Sequence, residues 1–143
     1  MTAAVFLTDA LRDRIAREAR ATFPRECCGL MEGEREGDAI RLIALHAARN
    51  LSSGNDRFEI DPADHFAAIR AARANEREIV GCYHSHPNGK PEPSMRDTDG
   101  AEGENFLWLI AALSDGAVSL SAFRRSAGDW QRLDLREIAG KAA

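Results

Sequence analysis

The chain has 143 residues, of which 44% are hydrophobic and 29% charged, a globular composition with material for one compact domain. The formal net charge is −4 and the arginines are spread along the sequence, which disfavours nucleic acid as a partner. No run approaches the roughly 20 apolar residues of a membrane span, and the N-terminus lacks a basic, apolar leader. We therefore expect a single domain over residues 1–143, located in the cytoplasm and without a membrane partner.

The first third of the sequence predicts a helix followed by a hairpin. Apolar residues recur at helical spacing over Leu7–Ala19, with Thr8 as a cap at the start and Pro24 ending the helix. Two strands follow, over Cys27–Glu32 and Ala39–His46, with a polar turn between them.

The remaining sequence predicts two more helices among strands. A short strand over Arg57–Ile60 leads into a helix over Pro62–Asn75, and a strand over Glu78–His84 precedes a proline-rich loop over Pro87–Pro93. Ser94 can cap a short third helix. Three further strands are predicted: Phe106–Leu113, Ala117–Arg124 and Trp130–Leu135. The total is an α/β (α+β) fold in which about three helices flank a mixed, largely antiparallel sheet.

Two of the four histidines, His84 and His86, lie two residues apart and directly before the proline-rich loop. Alternate side chains of an extended chain share a face, so both imidazoles can reach one metal ion. Asp97 beyond the loop can supply a third ligand, and three N/O ligands with an open position are typical of catalytic zinc. Each of these features also has an interpretation without a metal. Ser94-x-x-Asp97 matches a helix capping box, and two histidines at alternate positions occur by chance on exposed strands.

Two segments carry a resemblance to a known family. The string His84-Ser85-His86-Pro87-x6-Ser94-x-x-Asp97 resembles the JAMM motif of the MPN-plus metallopeptidases, with every spacing kept. The upstream segment Pro24-Arg25-Glu26-Cys27-Cys28-Gly29-Leu30 resembles that family's Pro-x-Glu-x-Cys-Gly-Leu. Shorter likenesses in the connecting segments extend the resemblance from about residue 8 to residue 125: Asn50, Phe58–Pro62 and Ile79–Gly81.

The resemblance implies a zinc metallopeptidase, a hydrolase, with the cytidine-deaminase-like architecture of MPN domains. It implies one zinc ion per chain, bound by His84, His86 and Asp97. It also implies Glu26 as the general base and Ser94 as a hydrogen-bond donor to the developing oxyanion. Taken without the resemblance, Glu26 is a solvated charge at a helix–strand junction, and Ser94 is a helix cap.

The three cysteines are predicted to be reduced thiols. They cannot all pair internally, and the neighbours Cys27 and Cys28 would bridge only in a strained geometry. Reduced thiols fit the cytoplasm. Cys82 shares a strand face with His84, so it lies beside the predicted metal pocket, where a small buried hydrophobe is the simplest interpretation.

JAMM sites of this kind act on isopeptide bonds to ubiquitin, or after the C-terminal diglycine of ubiquitin-like and sulfur-carrier proteins. The short Pro87–Pro93 loop and the absence of a partner domain favour the second class, whose extended tail can add to a sheet edge. Two alternatives stay open: a non-catalytic MPN scaffold, and a RadC-like DNA-associated JAMM domain, which Asn88-Gly89 supports. A zinc deaminase is excluded because no Pro-Cys-x-x-Cys follows the histidines. The oligomeric state is open, a homodimer included.

Overall fold

The computed structural model describes residues 3–100 and 105–140, which contain seven strands and three helices. In chain order these are β1 (Ala4–Thr8), α1 (Asp9–Thr22), β2 (Cys28–Glu36), β3 (Ala39–Ala48), α2 (Pro62–Ala74), β4 (Glu78–His86), α3 (Met95–Gly100), β5 (Leu107–Ser114), β6 (Ala117–Ser126) and β7 (Asp129–Ile138). The three expected helices are confirmed. Across those two ranges, every helix is too short or too polar to cross a membrane.

The strands form one sheet in the order β1-β3-β2-β4-β5-β6-β7, and β1 also pairs with β7, which closes the sheet into a barrel. Four of the pairs are antiparallel and three are parallel. The expected mixed, largely antiparallel pairing is therefore confirmed, but the expectation of a sheet merely flanked by helices is wrong. Closure occurs because β1 satisfies the free edges of β3 and β7 together.

The closing strand β1 is missing from the sequence prediction, which places Leu7 in the first helix. In the structure Val5 and Leu7 are fully buried on one face of β1, and the helix begins at Asp9. The five residues of β1 are nearly all apolar, so they show no clear alternation of apolar and polar side chains that would separate them from the helical pattern that follows. The expected cap is confirmed, since the Thr8 side chain accepts a hydrogen bond from the backbone N–H of Leu11 at 3.3 Å.

The segment predicted as a strand over Arg57–Ile60 forms a single β-bridge, between Asn50 and Ile60. Its polar backbone groups are partly taken by a side chain, because the Asn50 amide bonds to the N–H of Glu59 and to the C=O of Arg57. This segment is therefore an irregular loop that passes over the end of β4.

Two apolar clusters determine where a site can form. The larger one fills the barrel beneath α1 and includes Tyr83 of β4. The smaller one lies on the other face, under α2, and includes Cys82 with Leu30 and Trp108. Because β4 contributes to both clusters, its backbone is fixed on both faces, and the side chains at its carboxyl end are held in place.

A buried carboxylate joins α2 to the sheet. Glu32 on β2 is 1% exposed and accepts hydrogen bonds from His46 at 2.9 Å, Arg77 at 3.1 Å and Asn75 at 3.5 Å. Burial alone would raise the pKa of Glu32, but these three donors outweigh it and lower the pKa below its usual value. The network lies outside the candidate site, and its role is to fix the C-terminal end of α2.

Candidate metal and active site

The carboxyl end of β4 brings the predicted ligands together. His84 and His86 are 0% and 4% exposed, and their Nε2 atoms lie 3.0 Å apart. Asp97 on α3 is also buried, and its Oδ2 atom lies 2.9 Å from Nε2 of His86 and 3.2 Å from Nε2 of His84. Three ligand-type atoms from two elements therefore converge on one buried point.

Asp97 is oriented by the N-terminus of α3. Its backbone N–H donates to Ser94 Oγ at 3.0 Å, while the N–H of Ser94 donates to Asp97 Oδ2 at 2.8 Å. This reciprocal pair is the capping box that the sequence pattern allows. The same capping box directs the Asp97 carboxylate towards the two imidazoles. Helix capping and a place beside the histidines are therefore compatible for Asp97.

The donor and acceptor roles of these atoms fit a metal ion. His86 Nδ1 lies 2.8 Å from the carbonyl oxygen of Lys90, which can only accept, so Nδ1 carries the proton. A neutral His86 then presents its Nε2 lone pair to a carboxylate oxygen of Asp97, which is also an acceptor. Either a proton on Nε2 or a metal cation bound to both atoms satisfies this pair. A ligating histidine with its other nitrogen bonded to a carbonyl is common at zinc sites.

Metal binding requires neutral imidazole and ionised carboxylate, and the pKa shifts of His84 and Asp97 favour these states, whereas that of His86 favours the protonated ring, whose proton a bound metal ion would replace. Burial lowers the pKa of His84. Burial also lowers the pKa of His86, but the bonds to Asp97 and Lys90 outweigh it and the net shift is upward. For Asp97, burial raises the pKa, and the hydrogen bonds from both histidines outweigh it and hold the pKa far below its usual range.

Glu26 faces the same point from the segment before β2. It is 3% exposed, and its ligand-type atom lies within 4.8 Å of those of His84 and His86. A Glu26–His84–His86 set is thus a second possible ligand group beside the set that His84 and His86 form with Asp97, which lies at 3.2 Å and 2.9 Å from their Nε2 atoms. A carboxylate at this place can bind a metal ion directly or act on it through a water molecule.

Burial is also the main influence on the acidity of Glu26. It raises the pKa of Glu26 to about 8, opposed by His86 and supported by Asp97 and Asp56. Within the described ranges, Glu26 Oε1 is buried without a hydrogen-bond partner. A carboxyl group with such a pKa and an unpartnered oxygen can accept and release a proton near neutral pH.

Ser85 fixes the segment that carries Glu26. Its side chain accepts a hydrogen bond from the N–H of Cys27 at 2.8 Å, and its own N–H donates to the carbonyl of Cys27 at 3.1 Å. Ser85 is fully buried on the face of β4 opposite to the histidines. Ser85 therefore ties the segment that carries Glu26 to β4.

Aromatic residues form one wall of the site and were not predicted as site residues. The ring of Phe58 stacks on His84 with centroids 4.4 Å apart, and Trp108 meets His84 edge-on at 5.5 Å. Both rings line a pocket of about 790 Å³ that also borders Asp97 and Cys82. Burial raises the pKa of Cys82 far above its usual range, so this thiol stays protonated and behaves as a small hydrophobe.

A second groove opens on the other side of the histidines. It has a volume of about 390 Å³, and its lining includes Glu26, His86 and Ser94. The ion pair between Arg96 and Asp56, at 3.0 Å, connects α3 to the loop before Phe58. Arg96 borders both the groove and the aromatic pocket, so the two spaces meet beside the predicted metal ligands.

Comparison with known proteins assigns the chain to a family. Residues 8–126 match the model of the prokaryotic homologs of the JAB domain. A desampylase from Haloferax volcanii is 30% identical over 133 residues, which cover 90% of this chain and 88% of that protein. A probable TtuB-protein conjugate cleaving protease from Thermus thermophilus is 31% identical over 121 residues, covering 82% of this chain and 70% of that protein.

A solved structure agrees with the fold. The solution structure of a protein from Desulfitobacterium hafniense matches with a TM-score of 0.87 at 25% identity, covering 95% of this chain and 94% of that one. The matched family segment runs from the helix α1 through the histidines of β4 to the end of β6. The chain therefore belongs to the family of prokaryotic homologs of the JAB domain, and it is a hydrolase of the JAMM metallo-isopeptidase type.

Proposed function

We propose that this hydrolase cleaves the bond after the C-terminal diglycine of a ubiquitin-like or sulfur-carrier protein. The proposal is carried by one observation: a buried carboxyl group, Glu26, faces the same point as the converging atoms of His84, His86 and Asp97. The relatives named as a desampylase and as a protease of TtuB conjugates support the substrate class. All of these side chains belong to one chain, so the reaction needs no second copy.

In this proposal His84, His86 and Asp97 would hold one zinc ion through the atoms that converge in the structure. Zinc bound there would polarise the scissile carbonyl and lower the pKa of a water molecule to about 7. Glu26 takes the proton of the attacking water and returns it to the leaving amine. The buried walls around Glu26 limit access of bulk water, which strengthens these electrostatic interactions.

Ser94 is proposed to stabilise the oxyanion. Its Oγ accepts from the N–H of Asp97, which uses a lone pair and leaves the hydroxyl hydrogen to donate. Ser94 lines the groove that also contains Glu26 and His86. Capping the helix and donating to the oxyanion are therefore compatible roles for the same side chain.

Replacing Ser94 separates these two roles. We expect Ser94→Ala to lower kcat by about 10² to 10³ with little change in KM, as for the loss of one oxyanion donor, and to cost about 1 kcal/mol of stability as a lost cap. Ser94→Asp should restore the cap without restoring activity, because a carboxylate repels the oxyanion. Measuring kcat and melting temperature for both variants tests this. An active Ser94→Asp enzyme would leave capping as the only role.

Two features beside the metal ligands favour a glycine next to the scissile bond. The Phe58 ring lies against His84 on one side, and the Arg96–Asp56 ion pair crosses from α3 to the loop on another. A residue without a Cβ atom can bring its backbone close to both. The larger aromatic pocket next to Asp97 can then accept the apolar side chains that precede the glycines.

The proposed specificity is tested with a conjugate in which a ubiquitin-like protein ending in diglycine is joined to a lysine. We expect the wild-type enzyme to release the intact ubiquitin-like protein, and a conjugate with Ala in place of the last Gly to be cleaved at least about 10-fold more slowly. Mass spectrometry of the products identifies the cleaved bond. No cleavage of the diglycine conjugate, or equal cleavage of both, would contradict the proposal.

We also propose a cytoplasmic location. Within the described residues Cys27, Cys28 and Cys82 are all unpaired thiols, and reduced cysteines are the rule in that compartment.

A further inference from the structure

The side chain of Asn50 makes four hydrogen bonds to backbone groups around the site. Its Nδ2 donates to the carbonyl oxygens of Glu26 at 3.1 Å and Arg57 at 3.3 Å. Its Oδ1 accepts from the N–H groups of Ser52 and Glu59, each at 2.9 Å. We call these four bonds the Asn50 clamp.

The Asn50 clamp uses the full capacity of an amide, which has two N–H donors and two acceptor lone pairs. Backbone N–H groups can only donate and backbone carbonyls can only accept, so the contacts fix which end of the amide points each way. Among the shorter side chains, only that of asparagine offers two donors and an acceptor in this geometry. Aspartate keeps the acceptor but turns the donor end into a second acceptor.

One bond of the Asn50 clamp reaches the backbone of Glu26, the proposed base. The bond to the Glu26 carbonyl acts on the residue whose side chain faces His84 and His86. Arg25 adds to it, because its guanidinium donates to the carbonyls of Asn50, at 2.9 Å, and of Ser52. The carbonyl of Glu26 and the side chain of its neighbour Arg25 are thus both bonded to this loop.

Two other bonds of the Asn50 clamp hold the segment that contains Phe58, a wall of the aromatic pocket. Asn50 bonds to Arg57 and Glu59, the two residues on either side of Phe58. Phe58 stacks on His84 at 4.4 Å and lines the pocket beside Asp97. Because this segment forms only one β-bridge, the amide contributes two of the bonds that define its path.

We propose that Asn50 is a positioning residue for the hydrolysis, holding the base Glu26 and the Phe58 wall at a fixed distance from each other. The proposal rests on the proposed function for the role of Glu26. Asn50 acts through these two groups, and its four side-chain hydrogen bonds reach none of His84, His86 and Asp97. A shift of about 1 Å in a reacting group can reduce the rate by about 10², so a clamp on the backbone of the base has a direct kinetic effect.

The test compares Asn50→Asp with the wild type. Aspartate can still accept from Ser52 and Glu59, but its second oxygen faces the carbonyls of Glu26 and Arg57 and repels them. We expect kcat on a diglycine conjugate to fall by about 10- to 100-fold while zinc content stays at the wild-type level. Glu32→Gln is the matched control, because it weakens a buried network away from the site and should lower the melting temperature without lowering kcat.

A double-variant cycle shows whether Asn50 acts through Glu26. In the Glu26→Gln background there is no base left to position, so Asn50→Asp should lower the residual kcat by less than about 3-fold. Equal losses in both backgrounds would overturn the coupling. Unchanged kcat of Asn50→Asp in an otherwise active enzyme would overturn the positioning role while the proposed function stands.

Hydrogen exchange on the wild type keeps the inference testable if Asn50→Asp does not fold. The amide protons of Ser52 and Glu59 should exchange at least about 10-fold more slowly than unprotected loop amides, because each is bound to Asn50 Oδ1. Exchange of both at the unprotected rate would overturn the Asn50 clamp. A wild type without turnover on any conjugate would overturn the proposed function, and with it the role of Asn50.

Discussion

Glu26→Gln is expected to keep its fold and its zinc and to lose about 10² to 10⁴ in kcat, the range for removal of a general acid–base group. Glutamine has the same shape and can still hold a water molecule, but it cannot take its proton. The carboxyl group is buried, and its pKa of about 8 lies close to the working range of a proton carrier at neutral pH. Steady-state kinetics, elemental analysis and a melting curve measure the three quantities.

Glu18→Gln is a suitable control for this variant. Glu18 is a carboxylate on α1 that accepts a hydrogen bond from the hydroxyl of Tyr83 at 2.7 Å, away from the converging ligands. The same chemical change there should affect stability and leave kcat within a few fold of wild type. If Glu26→Gln also stays within a few fold, Glu26 has no part in the mechanism.

The double variant His84→Ala, His86→Ala is expected to lose both zinc and turnover. Two of the three proposed ligands are removed, and the remaining Asp97 carboxylate, even with Glu26 nearby, lacks the nitrogen ligands that catalytic zinc sites use. Elemental analysis should show zinc falling from about one per chain to near zero, and kcat should fall below detection.

His65→Ala is the control for the histidine variant. His65 is exposed and lines the same aromatic pocket, but its ring takes no part in the contacts among His84, His86 and Asp97. It should keep wild-type zinc content. Undiminished zinc in the double variant would remove both histidines from the metal site.

The placement of His84, His86 and Asp97 could be predicted from the sequence because it depends on residues close together in the chain. Alternation along a strand places His84 and His86 on one face, and the four-residue capping box places Asp97 relative to Ser94. The structure brings these side chains together with Glu26 as the motif spacing predicts. Their roles in binding and catalysis stay predictions until they are measured.

The parts that were missed depend on contacts between distant segments. Barrel closure through β1 requires strands at both ends of the chain to meet, which no short pattern encodes. Stacking of Phe58 on His84 joins residues 26 positions apart. Asn50 was noted only as part of a connecting segment, although its four hydrogen bonds span residues 26 to 59. Side chains that bond to backbone in irregular loops leave no periodic signal in a sequence.

The most direct test of the account is the activity of the wild-type protein on a diglycine conjugate before and after its metal is removed and restored. We expect the purified protein to contain about one zinc per chain and to cleave the conjugate after the last glycine. Chelation should abolish cleavage, and addition of one equivalent of zinc should restore it while Glu26→Gln, similarly reloaded, remains inactive. Cleavage that persists after complete removal of the metal would contradict the account.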